Sequence, residues 1–192
     1  MINLLRAIRF TFASAFVLGL LYPLFGCLIG WLLFPFSSQG SLMKAGREIV
    51  GSYLIAAPYK GPEWFAPRPS AVNYNGDGSG GSNDAPTSPA LLQEVQANMR
   101  DVLKANPSLS AQNISPSMVE SSASGLDPDI EFQDALDQIP RIAKATGMSE
   151  AWLRHLVESH VIEPRLGLYG VPMVNVNELN HALAQARKGN GS

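Results

Sequence analysis

The stretch ASAFVLGLLYPLFGCLIGWLLFPF, residues 13–36, decides the architecture of this chain. It lies in a run of 34 residues, 10–43, that carries no charge. Its 24 residues would form a helix about 36 Å long at about 1.5 Å per residue, against a bilayer hydrocarbon core of about 30 Å. The composition therefore predicts one membrane-spanning helix over residues 10–36.

A cleaved signal peptide is the alternative interpretation of an apolar N-terminal run. The apolar region of such a peptide spans about 7 to 15 residues and ends at a small-residue cleavage site. The run here is longer, and Ala13-Ser14-Ala15 stands at its start rather than at its end. We therefore expect an uncleaved anchor. Pro23 lies inside it and is expected to produce a kink or a packing site.

The charges that flank the span predict its orientation. Arg6 and Arg9 lie on the short N-terminal side, and positive charge near a span tends to remain in the cytoplasm. Lys44 and Arg47 at the other end weaken the asymmetry without reversing it. We expect a single-pass protein of the bacterial inner membrane, with residues 1–9 in the cytoplasm and residues 37–192 in the periplasm.

The composition of the part outside the membrane excludes several classes of protein. Cys27, the one cysteine, lies in the span, so residues 37–192 have no disulfide. The chain is 46% hydrophobic and 16% charged, which is unlike a disordered protein. Without Arg6 and Arg9 the remainder carries 12 basic and 16 acidic residues, a net charge of −4. Nucleic acid is therefore not an expected partner.

Hydrophobic periodicity and capping residues predict one α+β domain after the anchor. Strands are predicted at 49–56, 118–123 and 173–174. Helices are predicted to begin at Ser88-Pro89, near Ile130, after Ser149 and after Asn175, where Ser and Asn are typical N-caps. Pro140 is expected to kink or divide the second of these, and the third is expected to turn its apolar face inward (Trp152, Leu153 and Leu156).

A long irregular stretch over residues 57–87 includes a Gly/Ser/Asn-rich loop at about 72–88. Structureless loops of that length are generally either functional or disordered, and the sequence favours neither. Residues 76–81 match G-x-G-x-x-G formally. No convincing strand precedes them, and Pro86 interrupts the segment after them, so a dinucleotide site is not expected.

Catalytic and metal-binding motifs are weak throughout. Asp127, Asp129 and Glu131 alternate as in a calcium loop, but Phe132 stands where a glycine is needed and Gln138 where a glutamate is needed. A solvated acidic helix start is the better interpretation. No phosphate-binding P-loop and no G-x-S-x-G nucleophile elbow occur. We therefore expect no catalytic residues and no metal site, and an enzyme acting by itself is the minority hypothesis.

A set of short strings, in order and at characteristic spacing over nearly the whole chain, resembles one family. The family is the C subunit of the Kdp potassium-transporting ATPase of bacteria and archaea. The strings that carry the resemblance are Tyr22-Pro23, Gly40-Ser41-Leu42, Gly51-Ser52, Leu54-Ile55, Phe65, Arg68-Pro69-Ser70-Ala71, Ser79-Gly80-Gly81-Ser82-Asn83, Ser122-Ala123-Ser124-Gly125-Leu126-Asp127-Pro128, Gln138-Ile139-Pro140-Arg141, Val174-Asn175 and Glu178-Leu179-Asn180.

The resemblance implies an accessory, non-catalytic subunit of a four-part complex. Its partners would be a potassium channel-like subunit, a P-type ATPase subunit and a small single-span peptide, together with membrane lipid. The family is described as aiding assembly and as a catalytic chaperone that raises the affinity of the ATPase subunit for ATP. ATP and potassium would thus be bound through the partner subunits, and this chain would hold no cofactor alone.

The resemblance also implies site residues. Gln138 and Arg141 would carry a nucleotide role, and the partner interface would include Tyr22, Pro23, Arg68, Pro69, Ser82 and Asn83. Of these residues, Tyr22 and Pro23 lie in the span, and the expected topology places the others across the membrane from cytoplasmic ATP. We therefore expect this chain to affect ATP turnover only indirectly. The alternative for Arg141 is a helix-surface pair with Asp137, four residues earlier.

The sequence is compatible with two functions. In the first, the domain is a cap over the potassium entrance of the channel-like subunit, and its acidic residues favour cations there (Asp127, Asp129, Glu131, Asp134 and Asp137). In the second, the chain is a membrane-anchored envelope protein with a binding or hydrolytic domain that works alone. Co-purification with larger membrane proteins distinguishes the two.

Overall fold

The computed structural model describes residues 2–189, which form two compact units. The first unit ends at Val50 and the second begins at Gly51. The first holds the apolar helix and most of a short strand pair, and the second combines helices with a small sheet. The predicted class, an apolar N-terminal helix followed by an α+β domain, is confirmed.

The N-terminal stretch is helical from Ile2 to Leu33. Helix α1 spans Ile2–Phe16, a π-helical turn spans Val17–Leu21, and α2 spans Tyr22–Leu33. None of the residues in these three segments is buried. The helix is long and apolar enough to cross a membrane.

The π-helical turn ends two residues before Pro23. Proline lacks an amide hydrogen, and its ring clashes with the carbonyl four residues earlier, here that of Gly19. A π turn pairs each amide with the carbonyl five residues back and so widens the helix. The π turn is thus a local irregularity just before Pro23, and the kink or packing site expected there stays a prediction.

A short strand pair follows the helix. Helix α3 spans Pro35–Ser38, β1 spans Leu42–Ala45 and β2 spans Glu48–Ser52, and the two strands form their own sheet. Gly46, in the turn between them, has φ of +68°, which glycine adopts without steric cost. The predicted strand at 49–56 is therefore correct only in its first half.

The second unit contains a three-stranded antiparallel sheet. Strand β3 spans Asp129–Glu131, β4 spans Val161–Ile162 and β5 spans Met173–Asn175, in the order β3-β5-β4. Val174 pairs with Ile130 on one side and with Val161 on the other. The central strand is thus the last of the three in sequence, and the other two join it through long-range contacts.

The second unit contains four helices of ten or more residues, and the capping residues predicted for three of them are confirmed. They are α4 (Pro89–Ala105), α5 (Phe132–Thr146), α6 (Glu150–Ser159) and α7 (Val176–Gly189). Ser88 accepts a hydrogen bond from the amide of Ala90, and Ser149 from that of Trp152. The Asn175 side chain accepts from the amides of Asn177 and Glu178. Each cap satisfies main-chain donors at the start of its helix.

Several local predictions are wrong. Residues 118–123 form no strand, because the chain makes a 3-10 turn at Pro116–Met118 and then stays irregular. Ile130 lies in β3 rather than in a helix, and its strand neighbours pair with β5. Pro140 does not divide α5, which is continuous through it, and the alternative of a kink there stays a prediction. Trp152 is 36% exposed, although Leu153 and Leu156 of the same helix are buried.

One hydrophobic core holds the second unit together. The face of α5, the inner faces of α6 and α7, and the central strand meet around Phe65, which is fully buried. Apolar burial of this kind is worth roughly 1.5–3 kcal/mol for each large side chain. The members of the core are Phe65, Ile130, Ala135, Ile139, Ile142, Leu153, Leu156, Val157, Val174, Val176, Leu179 and Leu183.

The stretch predicted to be irregular has no helix or strand, yet it is held by specific hydrogen bonds. The amide of Gly80 donates to the carbonyl of Ser124 at 2.8 Å, and the Ser70 hydroxyl donates to the carbonyl of Gly125 at 2.6 Å. Gly125 has φ of +67°, and an added Cβ would lie 2.7 Å from the carbonyl oxygen of Gly80. Only glycine fits at this close approach.

Candidate functional site

Two carboxamide side chains hold the loop that carries Phe65. Asn180 of α7 accepts from the amide of Phe65 at 2.8 Å and donates to its carbonyl at 2.8 Å. Gln138 of α5 accepts from the amide of Ala66 at 2.7 Å and donates to its carbonyl at 3.2 Å. Each carboxamide thus satisfies both main-chain polar groups of one loop residue. We call this arrangement, Gln138 and Asn180 on residues 65 and 66, the carboxamide clamp.

Arg141, one turn after Gln138, extends the clamp. Its guanidinium donates from Nη2 to Gln138 Oε1 at 2.8 Å, from Nη1 to the carbonyl of Pro62 at 2.8 Å, and from Nε to Asn106 Oδ1 at 2.9 Å. Three of its five N–H donors are therefore used by the chain itself.

The alternative prediction, that Arg141 pairs with Asp137 on the surface of the helix, is wrong. Asp137 instead accepts from Gln133 at 2.8 Å. Arg141 lies on the side of α5 that faces the loop at residue 62 and the end of α4 at Asn106. Its guanidinium binds acceptors on both segments instead of the Asp137 carboxylate. Burial lowers the pKa of the Arg141 guanidinium, and the Glu63 carboxylate partly opposes that shift.

An open cavity of about 560 Å³ lies beside these groups. Its walls combine apolar residues of the loop, α4 and β3 with charged side chains. Arg68, Asp101, Lys104, Asp134 and Arg141 are among the lining residues. A cavity of this size with a few convergent polar groups is typical of a small-molecule or peptide site.

Asp134 is buried in the wall of this cavity. Its carboxylate accepts from the Ser115 hydroxyl and, at 2.6 Å, from that of Ser117. Burial raises the pKa of the Asp134 carboxyl, the two hydroxyls lower it, and the negative charges of Glu131 and Asp137 raise it further. Asp134 is therefore held inside the domain rather than in solvent. A potassium-attracting role for the other acids stays a prediction.

Arg68 and Pro69 connect the loop to residues 120–127. Arg68 Nη1 lies 3.8 Å from Asp127 Oδ2, a partly exposed ion pair of the kind that contributes little to stability. The carbonyl of Pro69 accepts from the amide of Ser122 at 3.1 Å. Arg68 Nε is buried and has no hydrogen-bond partner among residues 2–189. Arg68 also lines the cavity of about 560 Å³ that Gln138 and Arg141 line.

The remaining interface residues predicted from the resemblance lie elsewhere. Ser82 and Asn83 are exposed, and Ser82 lines a separate cavity of about 490 Å³ together with Pro69. Tyr22 and Pro23 belong to the apolar helix, where Tyr22 is 71% exposed. Exposure leaves these residues available to a partner, and their role in an interface stays a prediction.

Some residues of the clamp are not predicted from the sequence. Asn106 and Asn180 receive no role there, although each is buried and hydrogen bonded. Asn177, three residues before Asn180, donates to the carbonyls of Ser52 and Ile55, both at 2.8 Å. Asparagine is a poor helix former, so two asparagines three apart on the apolar face of a helix are a usable indication of such tertiary contacts.

Two motifs weighed in the sequence analysis are not completed in the described residues. Within the described part of the chain, no group of three or more His, Cys, Asp or Glu side chains is placed to share a metal ion. The G-x-G-x-x-G match at residues 76–81 is followed by irregular chain up to Ser88, so it does not open a helix. The arrangement is suited to fixing a loop beside a cavity, and the nucleotide role of Gln138 and Arg141 stays a prediction.

Known proteins match this chain over nearly its whole length. A family model described as the c chain of K⁺-transporting ATPase matches residues 4–185. The potassium-transporting ATPase KdpC subunit of Caldanaerobacter subterraneus subsp. tengcongensis is 40% identical over 183 residues, which is 95% of each chain. The same subunit of Rhodopseudomonas palustris is 41% identical over 188 residues (91% of this chain and 92% of the relative), and that of Sorangium cellulosum is 42% identical over 172 (88% and 90%).

Proposed function

This chain belongs to the family of K⁺-transporting ATPase c chains, and on that premise we propose that it is an accessory subunit of a high-affinity, ATP-driven potassium uptake complex. Its role is to assemble and stabilise the complex. The partners are a potassium channel-like subunit, a P-type ATPase subunit and a small single-span subunit. The observation that carries the proposal is the family match, because it spans both the apolar helix and the α+β domain.

The helix Ile2–Leu33 is the membrane anchor in this proposal. Arg6 and Arg9 favour a cytoplasmic N-terminus, so residues 1–9 face the cytoplasm and residues 10–36 cross the inner membrane. Residues 37–192 then form the periplasmic domain. Membrane lipid and partner helices cover the apolar side chains of the anchor, none of which is buried within the chain.

The chain itself performs no chemistry in this proposal. Gln138 and Arg141, the residues proposed by resemblance to act on a nucleotide, are hydrogen bonded to residues of the same domain. Their bonds support a structural function, which is to fix the loop beside the cavity. Effects on ATP affinity, the catalytic chaperone role, then arise through the stability of the assembled complex, while ATP and potassium bind to the partner subunits.

A pull-down tests the proposal. The tagged full chain is extracted from bacterial membranes in a mild detergent and purified through its tag. We expect larger membrane subunits to be retained, together with ATP hydrolysis that potassium stimulates. Recovery of the chain alone, monodisperse and active on a small substrate, would favour the hypothesis of an envelope protein that works by itself.

A further inference from the structure

The first unit exposes apolar side chains beyond its helix. Strands β1 and β2 form a two-stranded sheet, in which Ile49 is 57% exposed and Val50 52%. We call residues 42–50 the membrane-proximal hairpin. Its exposed side chains also include Lys44 and Arg47, so apolar and basic groups lie side by side. Segments that lie on a membrane surface combine these two kinds of group, because lipid buries the apolar area and its phosphates attract the basic charge.

The helix before the hairpin sets the depth at which the hairpin begins. In the proposed topology Arg9 lies on the cytoplasmic side, and a hydrocarbon core of about 30 Å takes about 20 helical residues. Counted from Phe10, this core ends near Ile29. Trp31 and Phe34, both exposed, then lie at the level of the outer lipid headgroups. Tryptophan is enriched at that level in membrane proteins.

The chain stays close to this level after the helix ends. Phe34, with φ of −131° and ψ of +57°, has left the helical conformation. After the single turn of α3, the amide of Ser41 donates to the carbonyl of Phe36 at 3.1 Å. This bond places Ser41 beside Phe36, so β1 begins close to the end of the apolar helix. The hairpin also belongs to the same compact unit as that helix.

The two faces of the membrane-proximal hairpin differ. A two-residue turn, Gly46-Arg47, joins its strands, and such a loop sets residues equally distant from it opposite one another. Lys44 and Ile49 therefore share one face, which we call the open face. Met43 and Val50 share the other, because successive strand residues point to opposite sides. Met43 is only 3% exposed, so the chain itself covers part of that second face.

We propose that the open face of the membrane-proximal hairpin binds phospholipid in the outer headgroup layer of the membrane. This inference rests on the proposed function, which supplies the membrane and the topology. Ile49 lies at the boundary with the acyl chains, and Lys44 extends its ammonium group to a lipid phosphate. The hairpin carries two basic residues and one acidic residue, a net charge of +1 that favours an anionic membrane surface.

Depth and composition favour lipid as the occupant of the open face. A segment at the headgroup level contacts lipid wherever no protein covers it, because the anchor that carries it lies in the bilayer. Lipid also accepts apolar and basic groups side by side without a preformed groove. Another protein on this face, whether a different subunit or a second copy of this chain, is the outcome that would overturn the inference.

Lipid-borne quenchers test the inference on the full chain. Cys27, the one cysteine, is replaced with alanine, and a fluorescent label is attached at Ile49→Cys or at its matched control, Val50→Cys. The chain is reconstituted in vesicles of phosphatidylcholine and phosphatidylglycerol that contain a lipid spin-labelled near its headgroup. We expect quenching severalfold stronger at position 49 than at position 50, which is similarly exposed on the opposite face. A label at Lys44→Cys should behave like that at position 49. Equal quenching at positions 49 and 50 would overturn the inference.

Two further measurements separate failure of the inference from failure of the proposed function. A label on the native Cys27, inside the span, should be quenched by a lipid whose spin label lies deep in the acyl chains. Its failure to respond would contradict the membrane anchor, and with it the proposed function. In vesicles that hold the assembled complex, quenching at position 49 should persist. Its loss there would show that a protein covers the open face and would overturn the inference alone.

Discussion

Replacing Asn180 with leucine is expected to lower the free energy of unfolding of the full chain by about 3–5 kcal/mol. The substitution nearly preserves side-chain volume but removes both hydrogen bonds to Phe65. The main-chain amide and carbonyl of Phe65, which is fully buried, would then lack partners. Each buried polar group without a partner lowers the free energy of unfolding by about 1–3 kcal/mol. Urea unfolding in detergent, followed by tryptophan fluorescence, measures the change.

Gln185→Leu is the matched control for this prediction. Gln185 lies on the same helix, but it is exposed, and its side chain bonds to that of His181 rather than to the loop. Its replacement should change the free energy of unfolding by less than about 0.5 kcal/mol. A loss below about 1 kcal/mol for Asn180→Leu would show that the loop at Phe65 is held by other contacts, and that the clamp has no large role.

Replacing Arg141 with methionine is the second substitution with a large expected effect. Three hydrogen bonds are lost, and Asn106, which is buried, keeps an unpartnered oxygen. We expect a loss of about 2–4 kcal/mol in the free energy of unfolding and a lower yield of assembled complex. Arg141→Lys should recover only part of this loss, because an ammonium group cannot reach three separated acceptors in one plane.

The same Arg141 variants distinguish the clamp from a nucleotide site. If the clamp is structural, the complexes that do assemble should hydrolyse ATP with an unchanged KM for ATP. Arg154→Met, at an exposed position on α6, is the control for loss of a positive charge. A severalfold rise in KM for ATP with an unchanged unfolding midpoint would instead support direct contact between Arg141 and the nucleotide.

Local signals in the sequence were sufficient for three of the helix starts. Ser88, Ser149 and Asn175 each cap a helix where their type and position predict it, because capping depends on the next two or three residues. The apolar run predicts the N-terminal helix by the same local logic. Strands β3 and β4 are two or three residues long and exist through pairing with β5, so no local pattern indicates them.

The candidate site was predictable only in part, because its contacts also join segments that lie far apart in the sequence. The resemblance places Gln138 and Arg141 together, and they are hydrogen bonded to one another. Their other partners lie 72, 79 and 35 residues away, at Ala66, Pro62 and Asn106. Side-chain bonds to an irregular loop have no periodicity, and they depend on the packing around Phe65 that brings these distant segments together. The local alternative, Asp137, was wrong because it ignored these distant acceptors.

Potassium-stimulated ATP hydrolysis tests the central claim, that this chain is an accessory subunit of a potassium-transporting ATPase, most directly. The ATPase and channel-like subunits are purified from membranes of cells that produce this chain and of cells that lack it, and the rate is measured over a range of potassium concentrations. We predict a stable complex with a potassium-stimulated rate only when the chain is present. An equal rate, at equal yield of the other subunits, from cells that lack the chain would contradict the account.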